Sequence, residues 1–231
     1  MIDRDIYFDH VRVSLFSGAL EQVHVDGQTV ILAVWDHQAG GTPMTDIRWL
    51  SYMLSTVYHE TAQRMWPVTE YGSQEYLQGK EYYPYIGRGF VQLTWEHNYD
   101  HASKALALID DRDLVAHPEV ALDSLIATRI LFRGMAEGWF TDRKLGQYFN
   151  DEKDDPVNAR QIINANDDDT LIASYHDKFL AALKAADKPK PPIVTEPEPK
   201  PPEPTPGEPP EFTTLITITS SAPITVTGIE A

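Results

Sequence analysis

Residues 46–66 read DIRWLSYMLSTVYHETAQRMW, and this stretch decides the fold class of the chain. Its apolar side chains recur at helical spacing, at Trp49, Leu50, Met53, Leu54 and Val57. Such spacing places them on one face of an α-helix, which predicts a core helix. Asp46 precedes the apolar run and is the expected N-cap, because a carboxylate there accepts hydrogen bonds from the free N–H groups of the first turn.

Helical spacing also dominates the segments on both sides of this stretch. We expect a first helix over 6–20, a buried segment over 30–35, a helix opened by Pro118 and Glu119 that runs to about 130, and a last helix over 172–183. Only 67–92, which is rich in Gly and Tyr, predicts irregular structure or a short β-hairpin. The predicted class is mainly α.

Composition excludes several classes of function. The chain has 231 residues, 19 Lys and Arg against 35 Asp and Glu, a net charge of −16 and no cysteine. Without cysteine there is no disulfide framework, Cys-ligated zinc, iron–sulfur cluster or thiol nucleophile. The acidic balance argues against nucleic-acid binding and against a polybasic membrane anchor. No apolar run is long enough for a membrane span, and the first residues lack a secretion signal, so synthesis in the cytoplasm is expected.

The composition changes sharply after residue 187, and we place the domain boundary there. Eleven of the 17 prolines lie between Pro189 and Pro210, which predicts a semi-rigid proline-rich linker over 188–211. Residues 212–231 alternate Thr with Ile and Val, and twenty residues cannot bury a core alone. This tail is expected to be disordered, or to add a strand to the sheet of a protein partner. Residues 1–187 form the predicted domain.

Glu60 is the first candidate for chemistry. It lies three residues after Val57 and seven after Met53, so it continues the apolar face of the predicted helix. A carboxylate there, flanked by Tyr58 and Trp66, is expected to be desolvated and to stay protonated, as a general acid requires. The alternative is a glutamate at a helix end that simply finds a partner.

Metal sites are not expected. His59 and Glu60 resemble the start of a His-Glu-x-x-His zinc motif, but the position of the second histidine is Gln63. His97 and His101 stand four residues apart, yet no obvious third ligand accompanies them, which favours a solvated pair. The chain is therefore expected to bind neither a metal nor another cofactor.

Glu70 is the second candidate. It lies between Pro67 and Gly72, which predicts a loop where the carboxylate is wetted and ionised. Glycoside hydrolysis uses two carboxyl groups in contrasting settings, one protonated to release the leaving oxygen and one charged to activate water. Spacing alone leaves this interpretation open, because acidic chains contain many such pairs.

Residues 87–99, GRGFVQLTWEHNY, strengthen the interpretation as a sugar site. Glycines let backbone approach a ligand closely, and Gln92, Thr94 and Asn98 offer hydrogen bonds. Aromatic side chains offer faces on which sugar rings stack, although most aromatics in proteins belong to the core. The aromatic residues in and just before this stretch are Tyr82, Tyr83, Tyr85 and Trp95.

The His59-Glu60-Thr61 motif followed by residues 87–99 resembles the family 19 glycoside hydrolases. Within them the chain is most similar to the endolysins of bacteriophages and prophages, and more distantly to plant-type chitinases. The resemblance covers roughly 45–185 and extends, more loosely, through 158–166, NARQIINAN. Where relatives carry Asn-Gly, this chain has Asn164 followed by Ala165, which weakens the expectation of close backbone approach there.

The resemblance implies a lysozyme-like, mainly helical fold with a cleft between two lobes, and an irregular or hairpin region lining that cleft. It implies that Glu60 is the general acid, that Glu70 is the general base of an inverting reaction, and that the hydroxyl of Thr94 holds the attacking water. Glu75 or Glu81 remain alternatives for the base. The implied substrate-binding residues are His59, Tyr83, Arg88, Gln92, Trp95, Asn98, Arg160 and Asn164.

Inversion implies that the two carboxyl groups stand ~6.5–9.5 Å apart, whereas ~5 Å would indicate a retaining enzyme. The expected substrate is the β-1,4-linked glycan of peptidoglycan, reached from the bacterial host cytoplasm after release. The alternatives are a chitinase acting on chitin oligomers, and a non-catalytic carbohydrate-binding or virion structural protein. The acid pair does not discriminate between the two polymers, because both contain β-1,4-linked N-acetylated sugars.

Overall fold

Helices dominate the computed structural model, which describes residues 1–37, 44–164 and 167–187. The α-helices are α1 (Arg4–Ser14), α2 (Gln22–His37), α3 (Ile47–Glu60), α4 (Gln74–Gln78), α5 (Glu96–Ala105), α6 (Ser124–Glu137) and α7 (Asp169–Ala186). Short 3-10 turns cover Asp110–Arg112, Pro118–Leu122, Leu145–Gln147 and Asn158–Ile162. Strands β1 (Val68–Thr69) and β2 (Arg88–Gly89) pair antiparallel. The mainly helical class is confirmed, and the predicted irregular or hairpin region, 67–92, contains a two-stranded sheet whose strands are joined through α4; it is called the hairpin region below.

Helix α3 forms as the sequence predicts and provides the centre of the core. The Asp46 carboxylate accepts the Arg48 N–H at 3.0 Å and caps the first turn. Leu50, Met53 and Val57 are fully buried. Burying each such side chain contributes about 1.5–3 kcal/mol, so this face fixes the helix in the core. The helix ends at Glu60.

Neighbouring helices hold α3 from several sides. α7 packs against both α3 and α1, and the Ser51 hydroxyl donates to the His176 carbonyl at 2.7 Å across the α3–α7 contact. The Tyr58 hydroxyl donates to the Leu15 carbonyl at 2.7 Å just beyond α1. The end of α3 is therefore positioned by contacts that are distant in sequence.

Two predicted helices differ in their extents. α1 ends at Ser14 and does not continue to residue 20, because Ser17 and Gly18 adopt positive φ angles of 50° and 87°. The helix predicted from Pro118 is a 3-10 turn followed by a separate helix α6. Asp123 interrupts it, since its carboxylate accepts the N–H groups of Leu125 and Ile126 and starts the new helix. The buried segment 30–35 lies inside α2.

The predicted linker over 188–211 and tail over 212–231 lie outside the described residues, so the boundary at 187 stays a prediction. Among the residues that the structure describes, no helix combines the length and the hydropathy needed to cross a lipid bilayer.

Candidate active site

Glu60 is the last residue of α3, where the helix is closed by Thr61. The Thr61 hydroxyl donates to the Val57 carbonyl at 2.7 Å and accepts the Met65 N–H at 2.9 Å. This buried side chain ties the end of the helix to the turn that follows. The carboxylate of Glu60 is partly buried, with 15% of its side chain exposed.

Arg160 holds this carboxylate through an ion pair that the sequence interpretation did not foresee. Its Nη1 donates to Glu60 Oε1 at 2.6 Å, and its Nε donates to the Asp167 carbonyl at 2.9 Å. The Arg160 side chain is only 4% exposed. The expected apolar surroundings of Glu60 therefore include a buried cation, and Arg160 reaches Glu60 itself. Charge-assisted hydrogen bonds of this kind fix both geometry and orientation.

Glu70 directly follows β1, and the hairpin holds it through local contacts. Its Oε1 accepts the Tyr82 hydroxyl at 2.8 Å, and its Oε2 accepts the Gly87 N–H at 3.1 Å. Its own N–H donates to the Gly87 carbonyl at 2.7 Å. Burial, together with the hydrogen bond to Glu70, raises the pKa of the Tyr82 hydroxyl, which keeps Tyr82 a donor.

Gly87 lies close to the side chains of both Glu70 and Gln92. A Cβ at this position would stand 2.9 Å from Gln92 Oε1 and 3.4 Å from the Cβ of Glu70. Any larger residue here would therefore press on both side chains. The alternative bases, Glu75 and Glu81, are both exposed, and the described residues give neither carboxylate a hydrogen bond or an ion pair.

Gln92, Thr94 and Asn98 line one cavity of about 220 Å³, together with Trp95 and Ile163. The Thr94 hydroxyl donates to the Gln92 carbonyl at 2.8 Å, and the Asn98 amide donates to the Thr94 carbonyl at 2.9 Å. Gln92 and Trp95 adopt positive φ angles of 52° and 74°. Non-glycine residues in this region are strained, and such strain clusters at functional sites.

Two lining residues of this cavity contact residues that hold the carboxylates. Gln92 lies beside Gly87, whose N–H binds Glu70. Ile163 donates its N–H to the backbone carbonyl of Arg160, whose side chain binds Glu60. The structure therefore brings Gln92, Thr94, Trp95 and Asn98 together on one cavity, and neither Glu60 nor Glu70 is among its lining residues.

Arg88 is occupied by the hairpin and does not reach this cavity lining. Its Nη1 donates to the Pro84 carbonyl and to the Tyr99 hydroxyl, both at 3.0 Å. These bonds give Arg88 the role of holding the backbone before residue 87. The resemblance implied that Arg88 binds the substrate. Its contacts with Pro84 and Tyr99 give it a structural role instead.

The other predicted substrate-binding residues are His59, Tyr83 and Asn164, which do not line this cavity, and Trp95, which does. His59 Nε2 is 3.6 Å from Asp168 Oδ2. Tyr83 and Trp95 are 46% and 41% exposed, so their rings are accessible. Asn164 is exposed and donates its N–H to the Arg160 carbonyl at 3.0 Å, whereas Ala165 and the rest of that segment to 166 lie outside the described residues.

His97 and His101 lie on α5 and contact aromatic rings. The His97 ring lies 6.4 Å from that of Trp95, and the His101 ring packs edge-on at 5.0 Å against Trp139. Within the described ranges, no three His, Asp or Glu side chains are arranged to hold a metal ion.

The chain is similar to chitinases in part of its sequence and in its fold. No family profile matches the chain. A stretch of 56 residues is 46% identical to an endochitinase of Arabidopsis thaliana, and it spans 24% of this chain and 18% of that protein. A crystal structure of a bacterial family 19 chitinase aligns with a TM-score of 0.49 at 19% identity, covering 79% of this chain and 94% of that one. Chitinase C of Streptomyces griseus aligns with a TM-score of 0.49 at 16% identity, covering 80% and 76%.

Proposed function

We propose that the chain is a glycoside hydrolase that cleaves β-1,4 bonds between N-acetylated amino sugars by inversion. The observation that carries the proposal is the pair of differently held carboxylates, Glu60 bonded to Arg160 and Glu70 bonded to Tyr82 and Gly87. Glycosidases of this type need two carboxyl groups with different roles, and the two settings supply them. The resemblance of the His59-Glu60-Thr61 motif and of residues 87–99 to family 19 enzymes supports the same conclusion.

Glu60 acts as the general acid. In the reactive form Glu60 carries a proton, which passes to the glycosidic oxygen as the bond from that oxygen to the anomeric carbon breaks. The step leaves Glu60 as a carboxylate, and the adjacent Arg160 guanidinium stabilises the new negative charge. Arg160 is thus a positioning residue that also compensates the charge formed during the reaction.

Glu70 acts as the general base. It takes a proton from water as the water oxygen bonds to the anomeric carbon from the opposite face, which inverts the configuration. Tyr82 and Gly87 orient the carboxylate for this transfer. One proton returned from Glu70 through solvent to Glu60 restores the starting state.

The cavity residues bind water and sugar. The Thr94 hydroxyl lines the cavity and is proposed to hold the attacking water, while Gln92 and Asn98 offer amides to the N-acetyl and hydroxyl groups. The exposed rings of Trp95 and Tyr83 offer stacking faces for further sugar units.

Peptidoglycan is the proposed polymer, and the resemblance to phage and prophage endolysins supports it. In that role the enzyme is made in the bacterial host cytoplasm and reaches the wall after release. Chitin is the second candidate, which the 46% identity to an endochitinase over 56 residues favours.

Product analysis tests the proposal. The purified chain is incubated with peptidoglycan and, separately, with chitin oligomers, and the products are identified by mass spectrometry and proton NMR. We expect muropeptides from peptidoglycan, with the inverted anomer formed first. Release of chitin fragments alone would select the second candidate. No new reducing end from either polymer would refute hydrolysis, and a retained anomer would refute the roles of Glu60 and Glu70.

A further inference from the structure

A second cavity, of about 310 Å³, lies between the turn that follows α1 and the turn that follows Glu60. Leu15, Phe16 and Ala19 contribute an apolar wall, and residues 62–64 contribute the other. It shares no lining residue with the cavity beside Gln92 and Thr94. The proposed mechanism leaves it without a role.

Its polar groups are available to a ligand. Arg64 forms no ion pair, and the side chains of Ser17 and Gln63 form no hydrogen bond, with any part of the chain that the structure describes. No aspartate or glutamate is among the described lining residues, although the chain has 35 acidic residues. A guanidinium, an amide and a hydroxyl can each donate a hydrogen bond to a carboxylate, and all three line this cavity.

The walls are held in shape before any ligand arrives. Ser17, Ala62 and Gln63 all have positive φ angles, of 50°, 49° and 68°. A Cβ on Gly27 of α2 would collide with the carbonyl of Met65, so close packing of α2 fixes the turn after Glu60. Non-glycine residues keep such a conformation only where the surrounding structure enforces it.

One side of the cavity is set by a histidine with a defined orientation. The His24 ring stacks on Phe16 with centroids 4.6 Å apart, and its Nδ1 accepts the Glu21 N–H at 3.0 Å. The apolar wall and the cationic Arg64 side chain together suit an acidic peptide better than N-acetylglucosamine, which carries no negative charge.

We propose that this cavity binds the carboxylate-bearing peptide substituent of a peptidoglycan strand, and so selects peptide-substituted glycan over chitin. The inference rests on the proposed function, because it assumes a glycan at Glu60. Ala62 on the lining is two residues from Glu60, so their Cα atoms are at most ~7.6 Å apart, about the span of one or two sugar units. The proposal requires a substituent on a sugar near Glu60 to reach the cavity, and chitin carries no such peptide.

Direct binding is the primary test, and it does not depend on hydrolysis. The full chain is titrated with N-acetylmuramoyl tetrapeptide by isothermal calorimetry. Arg64→Gln should weaken binding roughly tenfold or more, since it removes a charged hydrogen-bond donor. Arg143→Gln is the matched control, because Arg143 is exposed and lies outside both cavities; it should bind as the wild type does. Absence of binding, or equal affinity of wild type and Arg64→Gln, would overturn the inference.

A kinetic test separates this inference from the proposed function. Ala19→Trp fills the cavity from its apolar wall, and it should raise KM several-fold on intact peptidoglycan. On chitin oligomers, which carry no carboxylate, the rates should match the wild type. An equal loss on all substrates would contradict a peptide site. If the wild type binds the peptide through Arg64 but cleaves no glycan, the proposed function fails and the cavity assignment stands.

Discussion

Glu60 and Glu70 are held by two different parts of the molecule and by contacts of different range. Glu60 ends a buried helix and is bonded to Arg160, 100 residues further along the chain. Glu70 is bonded to Tyr82 and Gly87, 12 and 17 residues away within the hairpin region. The position of Glu60 depends on how the helices pack around α3. The position of Glu70 depends on contacts within the hairpin region. Perturbations should therefore affect the two carboxylates separately.

The largest effect is expected from Glu60→Gln. The amide keeps the shape but cannot donate the proton, so kcat on the preferred glycan should fall by about 10²–10⁴-fold. The variant should still fold, with a lowered melting temperature, because the buried Arg160 guanidinium loses its counter-charge. Glu75→Gln is the matched control, since Glu75 is exposed on α4. Wild-type turnover by Glu60→Gln would remove Glu60 from the mechanism.

Replacing Arg160 by methionine tests the long-range contact. It leaves a partly buried carboxylate without its cation, so the free energy of unfolding should fall by about 3 kcal/mol, and activity should fall with it. Urea unfolding measures the loss, and Arg112→Met, at an exposed arginine, serves as the control. In the double variant with Glu60→Gln the loss should be smaller than the sum of the two single losses. Strict additivity would show that the ion pair does not position Glu60.

Low pH should destabilise α3 and α7 before it destabilises the hairpin region. Burial lowers the pKa of His176 on α7 from its ordinary 6.5 to about 4. The negative charges of Asp177 and Asp154 raise this pKa, and the positive charges of Arg48 and Lys184 lower it, but burial has the largest effect. As the pH falls from 6.5 to about 4, His176 binds a proton in the unfolded chain but not yet in the folded one. The free energy of unfolding therefore decreases over this pH range. At about 1.4 kcal/mol for each pH unit, the loss is about 3 kcal/mol.

The variant His176→Phe should flatten this dependence. The ring stacks on Phe149, and among the described residues its Nδ1 has no hydrogen-bond partner, so an apolar ring fits the same place. Unfolding free energies of wild type and variant are compared at pH 7.5, 6, 5 and 4. Parallel curves would mean that His176 does not control the acid response. Hydrogen exchange should show opening at α3 and α7 ahead of β1 and β2.

Gly87→Ala tests the local contact at Glu70. Its Cβ would press on Gln92 and Glu70, so we expect a loss of about 2 kcal/mol in stability and a larger proportional loss in kcat. Gly79→Ala is the control, because a Cβ there meets only ordinary contacts at 3.5 Å and beyond. A fully active Gly87→Ala enzyme would show that this close approach is not needed.

The smallest effect is expected from Tyr82→Phe. It removes one hydrogen bond to Glu70, which is worth about 0.5–1.5 kcal/mol, so kcat should fall roughly three- to tenfold. The neighbouring Tyr83→Phe should leave kcat unchanged, since it keeps an exposed ring for stacking. A larger loss in Tyr83→Phe than in Tyr82→Phe would contradict the assigned order.

Several features were accessible from the sequence because they depend on nearby residues. Helical spacing identified α3, Asp46 matched its cap, and the Gly and Tyr content of 67–92 matched the hairpin region. The sequence did not predict the break between Leu122 and α6, because the helical spacing of apolar residues continues on both sides of Asp123. In the structure Asp123 is the N-cap that starts α6. Arg160 was assigned to the substrate, since spacing carries no information on a partner 100 residues away.

The sequence by itself determined that this is a mainly helical, cysteine-free acidic chain with a carboxylate at the end of a core helix. These properties follow from composition and from side-chain periodicity, which act over a few residues. Only the tertiary structure decided that Arg160 binds Glu60, that Gly87 lies against both Glu70 and Gln92, and that a cavity without acidic lining residues adjoins the turn after Glu60. Contacts of this kind depend on how the helices pack. The spacing of residues along the sequence does not indicate which distant residues come into contact.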